Sequence, residues 1–343
     1  MKHASPGPLV SVIMSVHNGG AYLREAIRSI LDQSFEDFEF IVIDDGSTDG
    51  SPEVIETFAD SDVRLRPIYQ ENRGLTRSLN RGIAEARGRL IARMDADDVS
   101  LPDRLEKQVA YLNAHADVGI VGGMTRHVNA DGVEMGGAWP SWSPPDLNGW
   151  RTLFENVLCH PTVVMRRDVL DRLGLGPYHA EILYAQDYEL WTRALFETKI
   201  ANLPDVVLER RKWGGTIGVQ HAEGQERTVI KAMKVAHERL LGRSVRSDVV
   251  ARLRSAVMRH PSSEPMADAA TAARELAALH KAYVDLLGSR SASVEDHAAG
   301  VLESLARSGE GGRIAPLWVA LRRMPRASAR RVGRLVTNRL RQP

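Results

Sequence analysis

The sequence predicts an α/β protein, with a doubly wound and mostly parallel sheet followed by a C-terminal helical region. Strand and helix patterns alternate through the first third of the 343 residues, an order typical of βαβ units with helices on both sheet faces. Polar turns at Asn18, Asp45 and Asp97 follow three of the predicted strands, where doubly wound sheets bind ligands. After about residue 220 only helical patterns remain.

Four short runs predict the strands of this sheet, and the first two are nearly all apolar and end in polar residues, as buried strands do. They cover residues 9–16, 38–43, 63–69 and 90–94. Helical spacing of apolar residues predicts a first helix over 21–33. The second helix begins with Ser51 as N-cap and Pro52 in its first turn. The third ends at Gly88, and Ser100 is the predicted cap of the fourth.

The middle of the chain mixes both kinds of element. Strand patterns over 118–128 and 133–136 flank Asn129-Ala130-Asp131-Gly132, which is a hairpin signal. A strand is predicted over 162–165, and helices over 169–173 and 187–196. The C-terminal helices are predicted over 225–241, 248–259, 267–287 and 294–307. We therefore expect three parts, which cover residues 1–220, 221–312 and 313–343.

The composition is that of a globular protein, with 43% hydrophobic and 26% charged residues. The single cysteine, Cys159, excludes an intrachain disulfide and a zinc site built from cysteines. The N-terminus shows no secretory signal, and no run of 18 apolar residues occurs. We therefore expect a cytoplasmic protein.

The last 31 residues, 313–343, carry nine arginines and no acidic residue, although the whole chain has a net charge of only +1. The remainder holds 36 basic against 44 acidic residues, a net charge of −8. Apolar residues between Ala329 and Leu340 share one helical face of this basic tail, and most arginines share the other. Such a helix can lie on an anionic membrane, here the inner face of the plasma membrane. The alternative is packing against the acidic body of the same chain; nucleic acid is not the expected partner.

Asp95-Ala96-Asp97-Asp98, at the end of the fourth predicted strand, is the sharpest chemical signal. Residues two apart on an extended backbone point to the same side, so Asp95 and Asp97 are predicted to face one point. Asp98 is predicted to face away or to cap a helix. Two carboxylates at one point suit Mg²⁺ or Mn²⁺, which complete their coordination with substrate phosphates. The alternative is an acidic turn that caps the following helix.

Two further motifs contain carboxylates, one directly after a predicted strand and one at the start of a predicted helix. In Asp44-Asp45-Gly46-Ser47, a carboxylate at the strand end can accept hydrogen bonds from a base or a ribose. Asp187 begins a helix, whose dipole would keep it ionised and available as a base. Each motif has a capping alternative. Three polar strand ends in one parallel sheet indicate a site more strongly than any one of them.

Several motifs occur together along the chain. They are VSVIMSVHNGGAYLREAIRSILDQSFEDFEFIVIDDGSTDGS (10–51), NRGLTRSLNRGIAEARGRLIARMDADDVSLPDRLEKQ (72–108), CHPT (159–162), QDYELW (186–191) and Gly214-Gly215. In this order and spacing they resemble family 2 glycosyltransferases of the GT-A fold, over about residues 8–220. The resemblance implies a catalytic domain over 1–220 and an inverting, hexosyltransferase-type enzyme. The implied donor is a nucleoside-diphosphate sugar, with a UDP-sugar expected. The implied acceptor is a hydroxyl of a saccharide or lipid-linked glycan in bacterial cell-surface polysaccharide synthesis.

The resemblance also implies roles for single residues. The donor-side residues would be Ser15, His17 and Asn18 in the nucleotide pocket, Asp44 and Asp45 at the base, Arg77 at the nucleotide or its phosphates, and Asp95 at the ribose or donor sugar. Asp97, with Asp95, would bind the Mg²⁺ or Mn²⁺ ion on the diphosphate. Asp187 would be the general base that takes the acceptor proton.

Three positions depart from the family pattern. His17 stands where the family often has Tyr, which affects base stacking. Gln186 stands where a Glu is frequent, so one acceptor-side charge is missing. Trp213 stands where a His near the diphosphate or metal is usual.

Two readings of the segment around Trp213 are open. Arg211 and Lys212 would neutralise the diphosphate directly and weaken metal dependence, or His221 would reach in from further along the chain. His160 is a candidate for the acceptor side. Its neighbour Cys159 is expected to be a small core residue.

Two other classes of protein fit the sequence less well. A nucleotidyltransferase shares the nucleotide-binding sheet and metal carboxylates, but usually needs a basic residue in a Gly-rich loop after the first strand. The sequence HNGGAY lacks that residue. A catalytically inactive sugar-nucleotide-binding or membrane-binding scaffold is disfavoured because Asp45, Asp97 and Asp187 are all present.

Overall fold

The computed structural model describes residues 7–174, 176–212, 222–259 and 265–307. The chain divides into two compact units. The first contains residues 1–143 and 157–220, and the second contains residues 144–156 and 221–343. The short segment 144–156 therefore interrupts the first unit and belongs to the second.

The first unit is built on a nine-stranded sheet. Its strands are β1 (Val10–Val16), β2 (Phe38–Asp45), β3 (Leu65–Gln70), β4 (Leu90–Met94), β5 (Val99–Ser100), β6 (Val118–Val128), β7 (Glu134–Trp139), β8 (Val164–Arg166) and β9 (Lys199–Arg211). The order is β3-β2-β1-β4-β8-β6-β9-β5, and β7 pairs with β6 outside this path. Strands β1 to β4 pair in parallel, as do β6 and β9, while β8 pairs antiparallel with β4 and β6.

Helices connect these strands. They are α1 (Leu23–Leu31), α2 (Ser51–Ser61), α3 (Leu75–Glu85), α4 (Arg104–Ala114), α6 (Arg167–Arg172) and α7 (Gln186–Ala194). Helix α3 lies very close to the sheet at Gly82. A Cβ atom there would come within 2.5 Å of Ile13 and 2.9 Å of Ile43. The predicted α/β class with its C-terminal helical region is confirmed.

Most predicted elements of the first unit occur within a few residues of their expected bounds, and the predicted hairpin is the antiparallel pair β6–β7. Three predicted helix ends are wrong. Helix α3 ends at Glu85, with Ala86 rather than Gly88 at its C-terminal boundary. Gly50 is the N-cap of α2, and Ser51 is its first residue. Ser100 lies in β5 and accepts a hydrogen bond from Gln33, while Asp103 is the N-cap of α4. Both serine hydroxyls are used in tertiary contacts, since Ser51 Oγ accepts from the backbone N–H of Gly19.

The second unit is helical over the residues described. It contains α5 (Pro145–Thr152), α8 (Ala222–Leu241), α9 (Ser247–Met258), α10 (Ala269–Leu287) and α11 (Ala292–Arg307). Helix α5 was not predicted. Trp150 in α5 is fully buried, and its indole N–H donates to Nδ1 of His297 in α11 at 3.1 Å. Among the described residues no helix has the length and apolarity needed to cross a membrane.

Two histidines in the core of the second unit are held neutral. Burial lowers the pKa of His237 to about 4, although its Nε2 bonds to the carbonyl oxygen of Leu153 at 2.7 Å. Burial likewise lowers the pKa of His297 to about 4. The ordinary value for histidine is 6.5, so both groups resist protonation in the folded protein.

We expect the second unit to lose stability as the pH falls from 6.5 towards 4. In this window the unfolded chain protonates its histidines while folded His237 and His297 stay neutral. Each then costs about 1.4 kcal/mol of unfolding free energy per pH unit. Urea denaturation followed by circular dichroism at pH 7, 6 and 5 measures the slope. His237→Gln keeps an N–H for Leu153 and should reduce the slope, whereas His115→Gln, at an exposed site, should not. If the slope is unchanged in His237→Gln, the neutral His237 is not a cause of the pH dependence.

Candidate functional site

The polar turns after β1, β2 and β4 lie together, because parallel strands end at the same edge of the sheet. The register places Met14 opposite both Val42 and Met94. The turns after β1 and β2 are also bonded to each other. Asn18 donates its backbone N–H to Ser47 Oγ at 2.9 Å and accepts from the Thr48 N–H at 2.8 Å. The structure thus brings together the strand ends that the sequence singled out.

The predicted nucleotide-pocket residues of β1 differ in exposure. Ser15 is half-buried, whereas His17 and Asn18 are exposed. Nδ1 of His17 lies 3.0 Å from the backbone oxygen of Asp45 and 3.2 Å from Nδ2 of Asn72. The imidazole therefore lies at the surface between the turns that follow β1, β2 and β3.

Asp45 is almost fully buried and holds the loop between β3 and α3. Its carboxylate accepts from Gln70 Nε2 at 2.6 Å, from the Arg73 N–H at 2.9 Å and from the Gly74 N–H at 2.8 Å. Burial opposes its ionisation, but these hydrogen bonds outweigh it and lower its pKa. Asp45 therefore shapes the loop beside the pocket, and its predicted contact with the base stays a prediction.

Asp44 and Arg77 flank this loop. Asp44 is buried and accepts from the Ser47 N–H at 3.3 Å. Arg77 is exposed on the first turns of α3, where its Nη1 lies 3.4 Å from the carbonyl oxygen of Arg73. The roles predicted for both residues at the nucleotide stay predictions.

The turn after β4 forms a carboxylate cluster of Asp95, Asp97 and Asp98. One carboxylate oxygen from each lies within 4.8 Å of the others. Asp98 does not face away, as was predicted, but is buried and joins the cluster. Its pKa is raised well above the ordinary value by burial and by the charges of Asp95 and Asp97. A divalent cation would remove this repulsion, so the residues present fit a metal site.

A buried arginine supports this cluster from within the sheet. Arg93 in β4 is almost fully buried and forms an ion pair with Asp95. Burial opposes its charge, but Asp95 raises its pKa. Arg93 Nε and Nη1 have no hydrogen-bond partner among the described residues. Arg93 therefore orients Asp95, and no local signal in the sequence had pointed to this residue.

Arg211 is a structural residue of the same turn. Its backbone N–H donates to Asp98 at 2.9 Å, and its guanidinium donates to the Asp97 carbonyl at 3.1 Å and to Glu25 at 2.8 Å. Its centre also lies 4.5 Å from the ring centroid of Tyr22. The guanidinium is buried and its hydrogen bonds go to groups of the protein. It is therefore not placed to make the contact with a diphosphate that was predicted. Arg211 instead positions the carboxylate cluster.

His160 and Tyr178 form a buried pair near the cluster. Nε2 of His160 lies 2.7 Å from the Tyr178 hydroxyl. Burial and the charge of Arg93 lower the pKa of His160 well below its ordinary value, so its imidazole is neutral. Cys159 is buried as expected, and burial raises the pKa of its thiol to about 12. The cysteine is therefore not a nucleophile.

Asp187 is the second residue of α7 and is half-buried. Its charge acts on the ionisation of Tyr178 and of Arg210, and so does the charge of Asp95. Asp187 and the carboxylate cluster therefore lie around one region of the first unit. Gln186, immediately before it, is buried. Trp213, Gly214, Gly215, His221 and the basic tail lie outside the described residues.

Comparison with known proteins identifies the family of the chain. The family model described as Glycosyl transferase family 2 matches residues 11–174. An "uncharacterized glycosyltransferase" of Haemophilus influenzae is 32% identical over 232 residues, which cover 65% of this chain and 72% of that protein. The chain belongs to glycosyltransferase family 2. The O-antigen biosynthesis glycosyltransferase WbnJ of Escherichia coli is 34% identical to this transferase over 194 residues, 55% of this chain and 72% of WbnJ.

Solved structures show the fold of the transferase. S. aureus TarS in complex with UDP-GlcNAc has a TM-score of 0.55 at 18% identity, over 88% of this chain and 93% of that one. This chain covers 53% of a longer TarS structure. The mannosyltransferase PcManGT from Pyrobaculum calidifontis, in complex with GDP-Man and Mn²⁺, has a TM-score of 0.52 at 17% identity, over 99% and 84%. The predicted GT-A fold is confirmed, and with the family shown the nucleotidyltransferase alternative is dropped.

Proposed function

We propose that this glycosyltransferase moves a sugar from a nucleoside-diphosphate donor to a hydroxyl of a saccharide or lipid-linked acceptor, with inversion at the anomeric carbon. The observation that carries the proposal is the cluster of Asp95, Asp97 and Asp98, which lies in one region with the carboxylate of Asp187. The carboxylate cluster suits the cation that accompanies a diphosphate, and Asp187 suits a base that takes the proton of the acceptor hydroxyl.

The donor half of the site would work through the carboxylate cluster. Asp97 and Asp95 would hold Mg²⁺ or Mn²⁺, with Asp98 close enough to join them. When bound there, the cation supplies positive charge that stabilises the departing diphosphate. Arg93 would orient Asp95 through their ion pair, and Arg211 would fix the turn through Asp97 and Asp98. PcManGT, whose structure contains GDP-Man and Mn²⁺, supports a divalent cation.

The acceptor half would work through Asp187. This carboxylate would take the proton of the acceptor hydroxyl while the oxygen attacks the anomeric carbon from the face opposite the diphosphate. Its place in the first turn of α7 favours the ionised form through the helix dipole. His160 is a poor alternative base, because burial and the charge of Arg93 lower the pKa of its imidazole and disfavour a proton on it.

We further propose a UDP-sugar donor and a role in polysaccharide biosynthesis. The TarS complex with UDP-GlcNAc supports the first, and the name of WbnJ supports the second. The test is calorimetric titration of UDP and GDP with and without Mn²⁺, followed by transfer assays with UDP-sugars. Tighter binding of UDP, dependent on Mn²⁺, is expected. The anomeric configuration of the product, read by NMR, must be opposite to that of the donor.

The basic tail is the proposed contact with an anionic membrane, on the evidence of its nine arginines and helical periodicity. Deleting residues 313–343 should abolish co-sedimentation with liposomes that contain anionic lipid, while donor binding remains. High salt should weaken binding of the intact protein, because exposed charges are screened over about 8 Å at physiological ionic strength. If the tail packs on its own acidic body instead, deletion lowers the melting temperature and the intact protein ignores the liposomes. Duplex DNA in the same assay tests the nucleic-acid alternative.

A further inference from the structure

The chain reaches Asp187 through an irregular stretch, residues 176–185, which we call the 176–185 segment. All of its residues are described, and none of them lies in a helix or a strand. It ends at Ala185, the N-cap of α7, whose φ of 54° and ψ of 30° lie in the left-handed region. This conformation is unfavourable for a residue with a Cβ atom and persists only where surrounding contacts fix it. The path into α7 is therefore set by what binds the segment.

Asn80 on α3 binds the backbone of the 176–185 segment through two hydrogen bonds. Its Nδ2 donates to the carbonyl oxygen of Tyr178 at 2.7 Å, and its Oδ1 accepts from the Tyr178 N–H at 3.1 Å. Tyr178 is almost fully buried, so its backbone groups need partners inside the protein. A carboxamide supplies the donor and the acceptor together. Asn80 thus takes the place that a neighbouring strand would have in a sheet.

The same face of α3 makes two more contacts with the segment. Thr76, one helical turn before Asn80, donates its hydroxyl to the carbonyl oxygen of Ile182 at 3.3 Å. Gly176 packs so closely against Asn80 that a Cβ atom on the glycine would lie 3.1 Å from Nδ2. The segment is therefore held on α3 at its first residue, at Tyr178 and again at Ile182.

Helix α7 also binds the segment. The guanidinium of Arg193 donates to the carbonyl oxygen of Pro177 and forms an ion pair with Glu189 at 2.7 Å. The Glu189 carboxylate also lies 3.2 Å from Nδ1 of His179. These contacts join the segment to the helix that carries Asp187, so α3 and α7 are connected through it.

The start of α3 is held on the predicted nucleotide side. Asp45 accepts from the backbone N–H groups of Arg73 and Gly74, which precede the helix. Nε2 of Gln70 in β3 donates to Asp45 and lies 2.9 Å from Oγ of Ser78 in α3. Helix α3 therefore connects the predicted nucleotide pocket with the chain that leads to the proposed base.

We propose that Asn80 is a positioning residue of the transfer reaction, which holds Tyr178 on α3 and thereby fixes the entry into α7 and the place of the Asp187 carboxylate. The inference rests on the proposed role of Asp187 as the base. A displacement of ~1 Å in a reacting group can cost ~10²-fold in rate. Loosening the segment should therefore slow the reaction, while donor binding, which depends on Asp45, is retained.

Hydrogen exchange read by mass spectrometry tests the anchoring without any substrate. Asn80→Leu keeps the approximate size of the side chain but loses both hydrogen bonds. Backbone amides of the 176–185 segment and of the first turn of α7 should then exchange about tenfold faster or more, as expected when two bonds to buried groups are lost. Amides of β6 should keep the wild-type rate. Glu85→Gln, at the last residue of the same helix, is the matched control and should change neither region. Unchanged exchange in the segment, or an equal rise throughout the chain, overturns the proposal.

A double-mutant cycle tests whether Asn80 acts through Asp187. The probe is release of UDP from UDP-GlcNAc with Mn²⁺, with water as the acceptor, measured as kcat and KM. Asn80→Leu should lower kcat about tenfold or more, while KM and the calorimetric affinity for UDP stay within about twofold. In an Asp187→Asn background the same substitution should have little further effect, because a misplaced base and an absent base are the same loss. Equal losses in both backgrounds contradict the positioning role.

Asn80→Asp is the second variant. It keeps the shape of the side chain and accepts from the Tyr178 N–H, but it has no donor for the Tyr178 carbonyl. It should show the same local effects, and it decides by the same criteria if circular dichroism shows that Asn80→Leu does not fold. If the wild type releases no UDP from UDP-GlcNAc, the proposed donor is wrong, and the exchange experiment still decides whether Asn80 fixes the start of α7. Failure of the positioning role is thus distinguishable from failure of the proposed function.

Discussion

Asp187→Asn is expected to lower turnover to an acceptor by about 10²-fold or more, the loss typical when a general base is removed. The amide has nearly the size of the carboxylate and still forms hydrogen bonds, but it takes no proton near neutral pH. Donor affinity should remain within about twofold, because Asp187 is assigned to the acceptor side. Steady-state kinetics with saturating donor, together with calorimetry of UDP and Mn²⁺, measures the two effects separately.

The matched control for Asp187 is Asp168. It is also an acidic residue in the first turn of a short helix, α6, but it is exposed and pairs with Arg172 at 2.9 Å. Asp168→Asn should therefore keep normal turnover. Near-normal turnover in Asp187→Asn would leave that residue as a helix-stabilising acid and remove it from the mechanism.

Asp97→Ala is expected to remove the metal-dependent part of donor binding. The wild type should bind UDP more tightly with Mn²⁺ than without it, whereas the variant should show the weaker, metal-independent affinity in both conditions. The physical reason is that three carboxylates within 4.8 Å favour a cation, and the loss of one removes a ligand and much of the attraction. Calorimetric titrations of UDP give the ratio of its affinities with and without Mn²⁺ for the wild type and for the variant.

Two variants make the Asp97 result specific. Asp103→Ala removes a nearby carboxylate at the start of α4, which pairs with Lys107 at 2.8 Å, and should keep the metal effect. Asp45→Ala should weaken UDP binding equally with and without Mn²⁺, because Asp45 holds the loop through Arg73 and Gly74. If Asp97→Ala and Asp45→Ala lose binding in the same pattern, the roles are misassigned.

The location of the site was predictable because it depends on strand order. Parallel strands that end in Asn18, Asp45 and Asp95 must bring these residues to one edge. The error at Asp98 has a local cause. The backbone leaves the extended form after Met94 and turns through residues 96–97, so the alternation of side chains along a strand no longer applies. The turn brings the third carboxylate back to the other two.

Other site residues carried no usable local signal. Tyr178 lies in an irregular segment with no periodicity, and its partner His160 is 18 residues away. Arg210, Arg211 and Lys212 are three adjacent cations, and the sequence does not show which of them faces the site. That is decided by the pairing of β9 with β6, which directs the Arg211 side chain to Glu25 and the Asp97 carbonyl, and its two neighbours to the opposite face.

The interruption of the first unit by residues 144–156 limits how the protein can be divided. A fragment that ends at residue 220 retains α5 but lacks α10 and α11, which shelter it. Trp150, fully buried in the intact chain, would lose His297, and the carbonyl of Asp146 would lose the hydroxyl of Tyr283. The helical unit is thus not an independent module that evolution or a protein engineer could exchange by a single cut. An interchangeable boundary requires three junctions, one on each side of α5 and a third after residue 220.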